Sequence, residues 1–96
     1  MIRLVTRFVA RDETTAAKFA DLLLRLQETV PSEPGNVIYE VLESAEDPMV
    51  FFCLESWNSP AAVNAHIRSN EEAGVNAEAA DLLAAAPETM TLRSIE

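Results

Sequence analysis

Residues 49–57 read Met-Val-Phe-Phe-Cys-Leu-Glu-Ser-Trp, a nearly continuous apolar run of strand length. Side chains alternate across a strand, so Val50, Phe52 and Leu54 face one way while Phe51, Cys53 and Trp57 face the other. A strand that is apolar on both faces must be covered on both. Helices of the same chain can cover one face. The second needs another layer, and in a chain of 96 residues a second copy of the same sheet is the simplest source.

The remaining elements follow from periodicity. Residues 2–10 alternate, with Ile2, Leu4, Phe8 and Ala10 opposite Arg3, Val5, Arg7 and Val9, the pattern of a strand. Phe19, Leu22, Leu23, Leu26 and Val30 recur at three- and four-residue spacing, which predicts a helix over 14–30 with one buried stripe. Pro31, Pro34 and Gly35 end it. Residues 36–43 alternate again and are rich in β-branched and aromatic types. A polar turn over 44–48 joins them to 49–57 as a hairpin. Ser59-Pro60 is a helix start, with serine at the N-cap and proline at N1. Val63, His66 and Ile67 fall on one face of that helix. Ser69-Asn70 reads as a break before a helical segment over 71–86, whose Ala84-Ala85-Ala86 end packs tightly. Pro87 closes it, and 88–95 form a last strand. The order β-α-β-β-α-(α)-β implies an α+β fold of ferredoxin-like type, an antiparallel sheet with helices on one face, in a single domain over 1–96.

A formal charge of -9 argues against nucleic acid as the main partner, since such binders need a basic face to displace counterions. It argues equally against an anionic membrane surface. Cys53 is the only cysteine, so neither an intrachain disulfide nor a cysteine metal cluster is expected. The N-terminal stretch is too interrupted by arginine for a signal peptide, and no apolar run approaches a membrane span. The expected compartment is the cytoplasm.

Three stretches together resemble a known family. They are Glu33-Pro34-Gly35 with Tyr39-Glu40-Val41, then Asp47-Pro48, then Glu55-Ser56-Trp57 with Ser59, Ala62 and Ala65-His66. This pattern is similar to that of antibiotic biosynthesis monooxygenase domains, including small quinol monooxygenases. The resemblance implies a dimeric α+β barrel, in agreement with the doubly apolar strand. It also implies oxygenation of an electron-rich phenol or quinol by molecular oxygen, with no metal, flavin or other cofactor. Some members of the family bind and degrade haem instead. Others have no known activity, which leaves a non-catalytic module for small ligands as an alternative.

On that resemblance, His66, Trp57 and Tyr39 are the catalytic candidates, and Thr6, Arg7, Glu55 and Phe51 the substrate-binding ones. His66, the only histidine, could take a phenolic proton; alone, a histidine on an apolar face is more often structural. The Trp57 indole N–H could bond a substrate oxygen, or the ring could simply sit in the core. Glu55 shares an apolar face with Phe51, Cys53 and Trp57, so its carboxylate needs a partner. Arg7 and Arg93 are the candidates for that role, in a structural ion pair if not a catalytic one. Haem-degrading relatives carry an asparagine in the first strand, where this chain has Thr6 and Arg7; that departure counts against haem degradation. Cys53 reads as a core residue, and Asn64 and Asn76 as solvated.

Overall fold

A computed structural model describes all residues, 1–96. Four strands, β1 (Ile2–Val9), β2 (Asn36–Glu43), β3 (Val50–Trp57) and β4 (Glu88–Leu92), form one antiparallel sheet in the order β2-β3-β1-β4. Three helices, α1 (Glu13–Thr29), α2 (Pro60–Glu72) and α3 (Val75–Leu82), complete the ferredoxin-like α+β fold. No helix is long and apolar enough to cross a membrane.

Helix α1 starts at a capping box. Asp12 accepts from the Thr15 backbone N–H at 2.8 Å, and the Thr15 hydroxyl accepts from the Asp12 N–H at 3.0 Å, which satisfies donors that a helix start leaves free. Phe19, Leu22 and Leu23 then bury the helix's apolar stripe against the sheet, with Ala10, Phe51 and Leu83 in the same cluster. Phe19 packs tilted on Phe8 and edge-on to Phe51, with centroids 4.9 and 5.5 Å apart, a geometry that aromatic quadrupoles favour. The Gln27 side-chain oxygen accepts from the Val41 N–H at 2.9 Å, so α1 also occupies part of the outer edge of β2.

The register settles which side chains share a face. Leu4, Thr6 and Phe8 lie opposite Glu55, Cys53 and Phe51, and Tyr39 lies opposite Glu55; this is the face under the helices. The other face carries Arg3, Val5 and Arg7 of β1, Phe52 and Leu54 of β3, Ile38 and Leu42 of β2, and Met90 and Leu92 of β4. No element of the chain covers it. Ile38 is 50% exposed, Met90 62% and Leu92 48%, far more than such side chains show in a closed core.

Two sequence expectations need correction here. The helical break is not at Ser69-Asn70: α2 runs on to Glu72, and the chain turns at Gly74, whose φ of 75° is left-handed. Glycine adopts that conformation without the penalty a side chain meets. The second helical segment also stops short of 86. Leu83 pairs with Ala10 as an isolated β-bridge, and the Ala84 N–H donates to the Val9 carbonyl at 2.8 Å. The end of β1 therefore captures the backbone that helical propensity alone would have continued, and the alanine run is not a helix end.

Candidate active site

Gly35 sets the position of α2. Its φ is 85°, and a side chain there would meet Ala62 Cβ at 2.5 Å and Asn58 Oδ1 at 2.7 Å. The Asn58 N–H donates to the Gly35 carbonyl at 2.9 Å, and the Ser59 hydroxyl accepts from the Ala62 N–H at 3.2 Å to cap the helix. The turn before Gly35 is equally fixed. Glu33 ends a short 3₁₀ turn over Val30–Ser32 and donates its N–H to the Val30 carbonyl at 2.9 Å. Start of helix and turn are thus locked together, and the side chains of Glu33 and His66 meet.

His66 is buried and both ring nitrogens are engaged. Nδ1 lies 2.8 Å from Glu33 Oε1. An ionised carboxylate can only accept, so Nδ1 carries the proton; the Asn70 amide nitrogen beside Nε2 can only donate, so Nε2 holds a lone pair. Nε2 lies 3.3 Å from the Asn70 amide nitrogen and 3.7 Å from Glu55 Oε1. The ring stacks, tilted, on Trp57 at 4.6 Å and meets Tyr39 edge-on at 6.1 Å.

A cavity of about 720 Å³ lies between the helix-covered sheet face and the helices, within the size range of small-molecule sites. Sixteen of its 23 lining residues are hydrophobic, so its body is apolar and its polar groups stand out. Glu55, Tyr39, His66 and Asn70 form one polar end, and Thr6, Thr89 and Asn76 add to the lining. Thr6 and Thr89 satisfy one another, hydroxyl to hydroxyl, at 3.0 Å. His66 Nε2 points to this end, because its neighbours Glu55 and Asn70 line the cavity while Glu33, on the Nδ1 side, does not. Burial, together with the neighbouring Cys53 thiol and the Glu55 carboxylate, holds the Tyr39 phenol far above its ordinary range. Burial and Glu55 push the Cys53 thiol up to about 12. Both therefore stay protonated at neutral pH.

The sequence candidates divide accordingly. His66, Tyr39, Glu55 and Thr6 come together at the cavity. Trp57 does not line it: the side chain is fully buried behind His66, and its indole N–H donates to Glu55 Oε1 at 3.0 Å. That donor is committed to the protein, so the core placement describes Trp57. Phe51 shares the right face but belongs to the core under α1. Arg7 is a correction. The register opposes it to Phe52 and Glu88, placing it on the uncovered face, where it lies 3.9 Å from Glu88. Arg93 falls beyond the end of β4 and is exposed. The role expected of these arginines falls to the Trp57 indole, whose N–H donates to Glu55 without a cation from either strand.

Two site residues escape a reading of the sequence for chemistry. Asn70 stands four residues after His66, one helical turn along the same face, but a break placed at that point hides the spacing. Glu33 sits in the turn motif and carries no local sign that it reaches a histidine 33 residues away. Asn76, expected in solvent, is exposed and borders the cavity; Asn64 is exposed. No group of three or more His, Cys, Asp or Glu side chains converges as metal ligands.

The chain matches the antibiotic biosynthesis monooxygenase family model over residues 1–88. Among solved structures it is similar to an antibiotic biosynthesis monooxygenase, at 17% identity and a TM-score of 0.90 with all of both chains covered. It is also similar to a conserved protein from Methanosarcina mazei Go1, at 25% identity and a TM-score of 0.86, covering 96% of this chain and 90% of that one. A candidate antibiotic biosynthesis monooxygenase from Caulobacter crescentus CB15 is 26% identical, with a TM-score of 0.86 and coverage of 99% and 90%. No curated protein matches the chain.

Proposed function

Because the chain belongs to the antibiotic biosynthesis monooxygenase family, we propose that it is a cofactor-independent monooxygenase that oxidises a phenolic or quinolic small molecule with molecular oxygen. One arrangement carries the reading: His66 is held by Glu33 through Nδ1, with the Nε2 lone pair turned to the polar end of an apolar cavity. A carboxylate that fixes the tautomer of a histidine leaves the other nitrogen ready to accept a proton.

The chemistry asks little more of the protein. A phenolic O–H placed at Nε2 gives up its proton, and the electron-rich anion then supplies the electrons that reduce oxygen. One oxygen atom replaces hydrogen at a ring carbon, which leaves the ring as a quinone; the O–O bond breaks, and the other atom departs as water with the phenolic and ring hydrogens. The apolar walls exclude bulk water from the anion, and the Tyr39 hydroxyl, held protonated, is a donor to a developing oxyanion. Asn70 orients the ring nitrogen, and Glu55 stands beside it as an acceptor for the incoming hydroxyl.

The working unit in this reading is a homodimer. A folded monomer of 10.5 kDa is expected to expose about 5,400 Å², whereas this chain exposes 6213 Å². The excess is consistent with the bare outer face of the sheet, and a second copy of that face is its proposed cover, closing an α+β barrel. We place the protein in the cytoplasm, in keeping with its single, buried, unpaired cysteine.

Oxygen uptake by the purified protein with a panel of naphthols and quinols tests the activity. Uptake above the protein-free rate that falls in His66→Ala supports it. No uptake with any member of the panel would leave a non-catalytic binding module as the better reading.

A further inference from the structure

Charge in the cavity is one-sided. Glu55 is the only acidic residue in its lining, and no arginine or lysine contributes to it. The basic residues next to lining residues in sequence, Arg3, Arg7, Lys18, Arg25 and Arg68, are all exposed and none lines the cavity; Arg7 faces Glu88 on the opposite side of the sheet, and Arg25 pairs with Glu78 on the outside of the helices. Behind His66 stands a second carboxylate, Glu33.

We propose that the cavity selects an uncharged hydroxylated aromatic and rejects aromatic carboxylates and phosphates, with Glu55 as the residue that sets this preference. The inference rests on the hydroxyarene reading above and adds the charge class of the ligand. Glu55 Oε1 takes the Trp57 N–H, which leaves Oε2 as an acceptor. No buried side-chain oxygen is orphaned, so Oε2 is within reach of solvent or a ligand in the cavity. His66 Nε2 is a second acceptor there. A ligand that offers an O–H is matched to these groups. A ligand that brings a carboxylate or phosphate meets a like charge at short range in an apolar surround, with no arginine or lysine to offset it. The same negative charge already acts on its neighbours, since it contributes to the raised titration of both Tyr39 and Cys53.

The test is isothermal titration of the purified protein with 2-naphthol and with 2-naphthoate, in anaerobic buffer at neutral pH. The ligands share a ring system; one carries a neutral O–H and the other an anionic carboxylate, and the Glu55→Gln arm isolates the charge. We expect 2-naphthol to bind on the order of 100-fold more tightly, the scale of a poorly screened like-charge contact. In Glu55→Gln, which keeps the shape and removes the charge, the ratio should shrink by about 10-fold or more, mainly through tighter naphthoate binding. Equal affinities in the unmodified protein, tighter binding of naphthoate, or failure of 2-naphthol to bind would each overturn the inference. So would an unchanged ratio in folded Glu55→Gln. The wild-type ratio needs no variant, so an unfolded Glu55→Gln does not rescue the idea. If 2-naphthol binds selectively but no quinol or naphthol is oxidised, the oxygenase reading fails and the charge rule stands.

Discussion

His66 Nδ1 and Glu33 Oε1 lie 2.8 Å apart across 33 residues of sequence. The contact joins the turn before β2 to the middle of α2, and it determines which histidine nitrogen faces the cavity. If that nitrogen is the base, His66→Ala should lower turnover by roughly 10²-fold or more, the usual scale for a positioned base. Turnover and melting temperature measured on the same samples separate chemistry from folding. Unchanged turnover per folded molecule would remove His66 from the mechanism and move the search to Glu55 and Tyr39.

The indole N–H of Trp57 serves Glu55, so Trp57→Phe keeps an aromatic ring in the core, deletes one hydrogen bond to a carboxylate and leaves a cavity where the rest of the indole stood. The expected loss is at least about 1.5–3 kcal/mol of stability, the range for hydrogen bonds to charged groups alone. Urea denaturation of wild type and variant measures it. A loss below about 0.5 kcal/mol would mean that Glu55 finds another donor.

Two glycines share a left-handed backbone but differ in surroundings. At Gly74 a methyl group would meet nothing within 4 Å, whereas at Gly35 it would strike Ala62 and Asn58. Gly74→Ala should cost about 1–2 kcal/mol, the backbone penalty alone. Gly35→Ala adds a steric term of about 1–3 kcal/mol and should also disturb the Glu33–His66 contact. Equal denaturation midpoints for the two variants would refute the close approach.

Alkaline stability follows from Cys53 and Tyr39. The thiol rises from an ordinary 9.0 to about 12 in the folded chain, through burial first and Glu55 second. The folded state therefore keeps its proton where the unfolded state loses it. Its stabilising contribution is complete below pH 9 and is lost as pH climbs toward 12, by at most about 4 kcal/mol. Tyr39, also raised above its ordinary 10.0, acts in the same direction from about pH 10. The melting temperature should fall steeply above pH 9. Tyr39→Phe, which removes one of the two groups, should fall less steeply above pH 10; identical slopes would count against the buried phenol.

The uncovered sheet face predicts the oligomeric state. Static light scattering at micromolar concentration should give twice the chain mass, with more than roughly 2,000 Å² buried in total, as obligate interfaces do. Leu54→Glu, in the middle of that face, should yield a monomer or fail to accumulate. A wild-type monomer of about 10 kDa would remove the proposed cover.

The sequence by itself determined the elements, the antiparallel ferredoxin-like order and the two-sided character of β3, because strand alternation, helical stripes and caps such as Ser59-Pro60 are local. It also put Glu55 on the face of Phe51, Cys53 and Trp57. That the Trp57 indole answers Glu55 was within reach of this reading, since the two are two residues apart on one face. Other features depended on the tertiary structure. Which face of β1 meets that of β3 depends on register, and the pairing of Arg7 with Phe52 rather than with Glu55 sends the arginine away from the cavity. Asn70 stayed hidden because its role depends on α2 continuing to Glu72, with the turn at Gly74. The Glu33–His66 contact exists because α2 can approach the turn at Gly35 so closely that no side chain fits between them. Local chemistry writes periodicity into a chain, but contacts between distant residues come from packing, and here packing brought the carboxylate to the histidine.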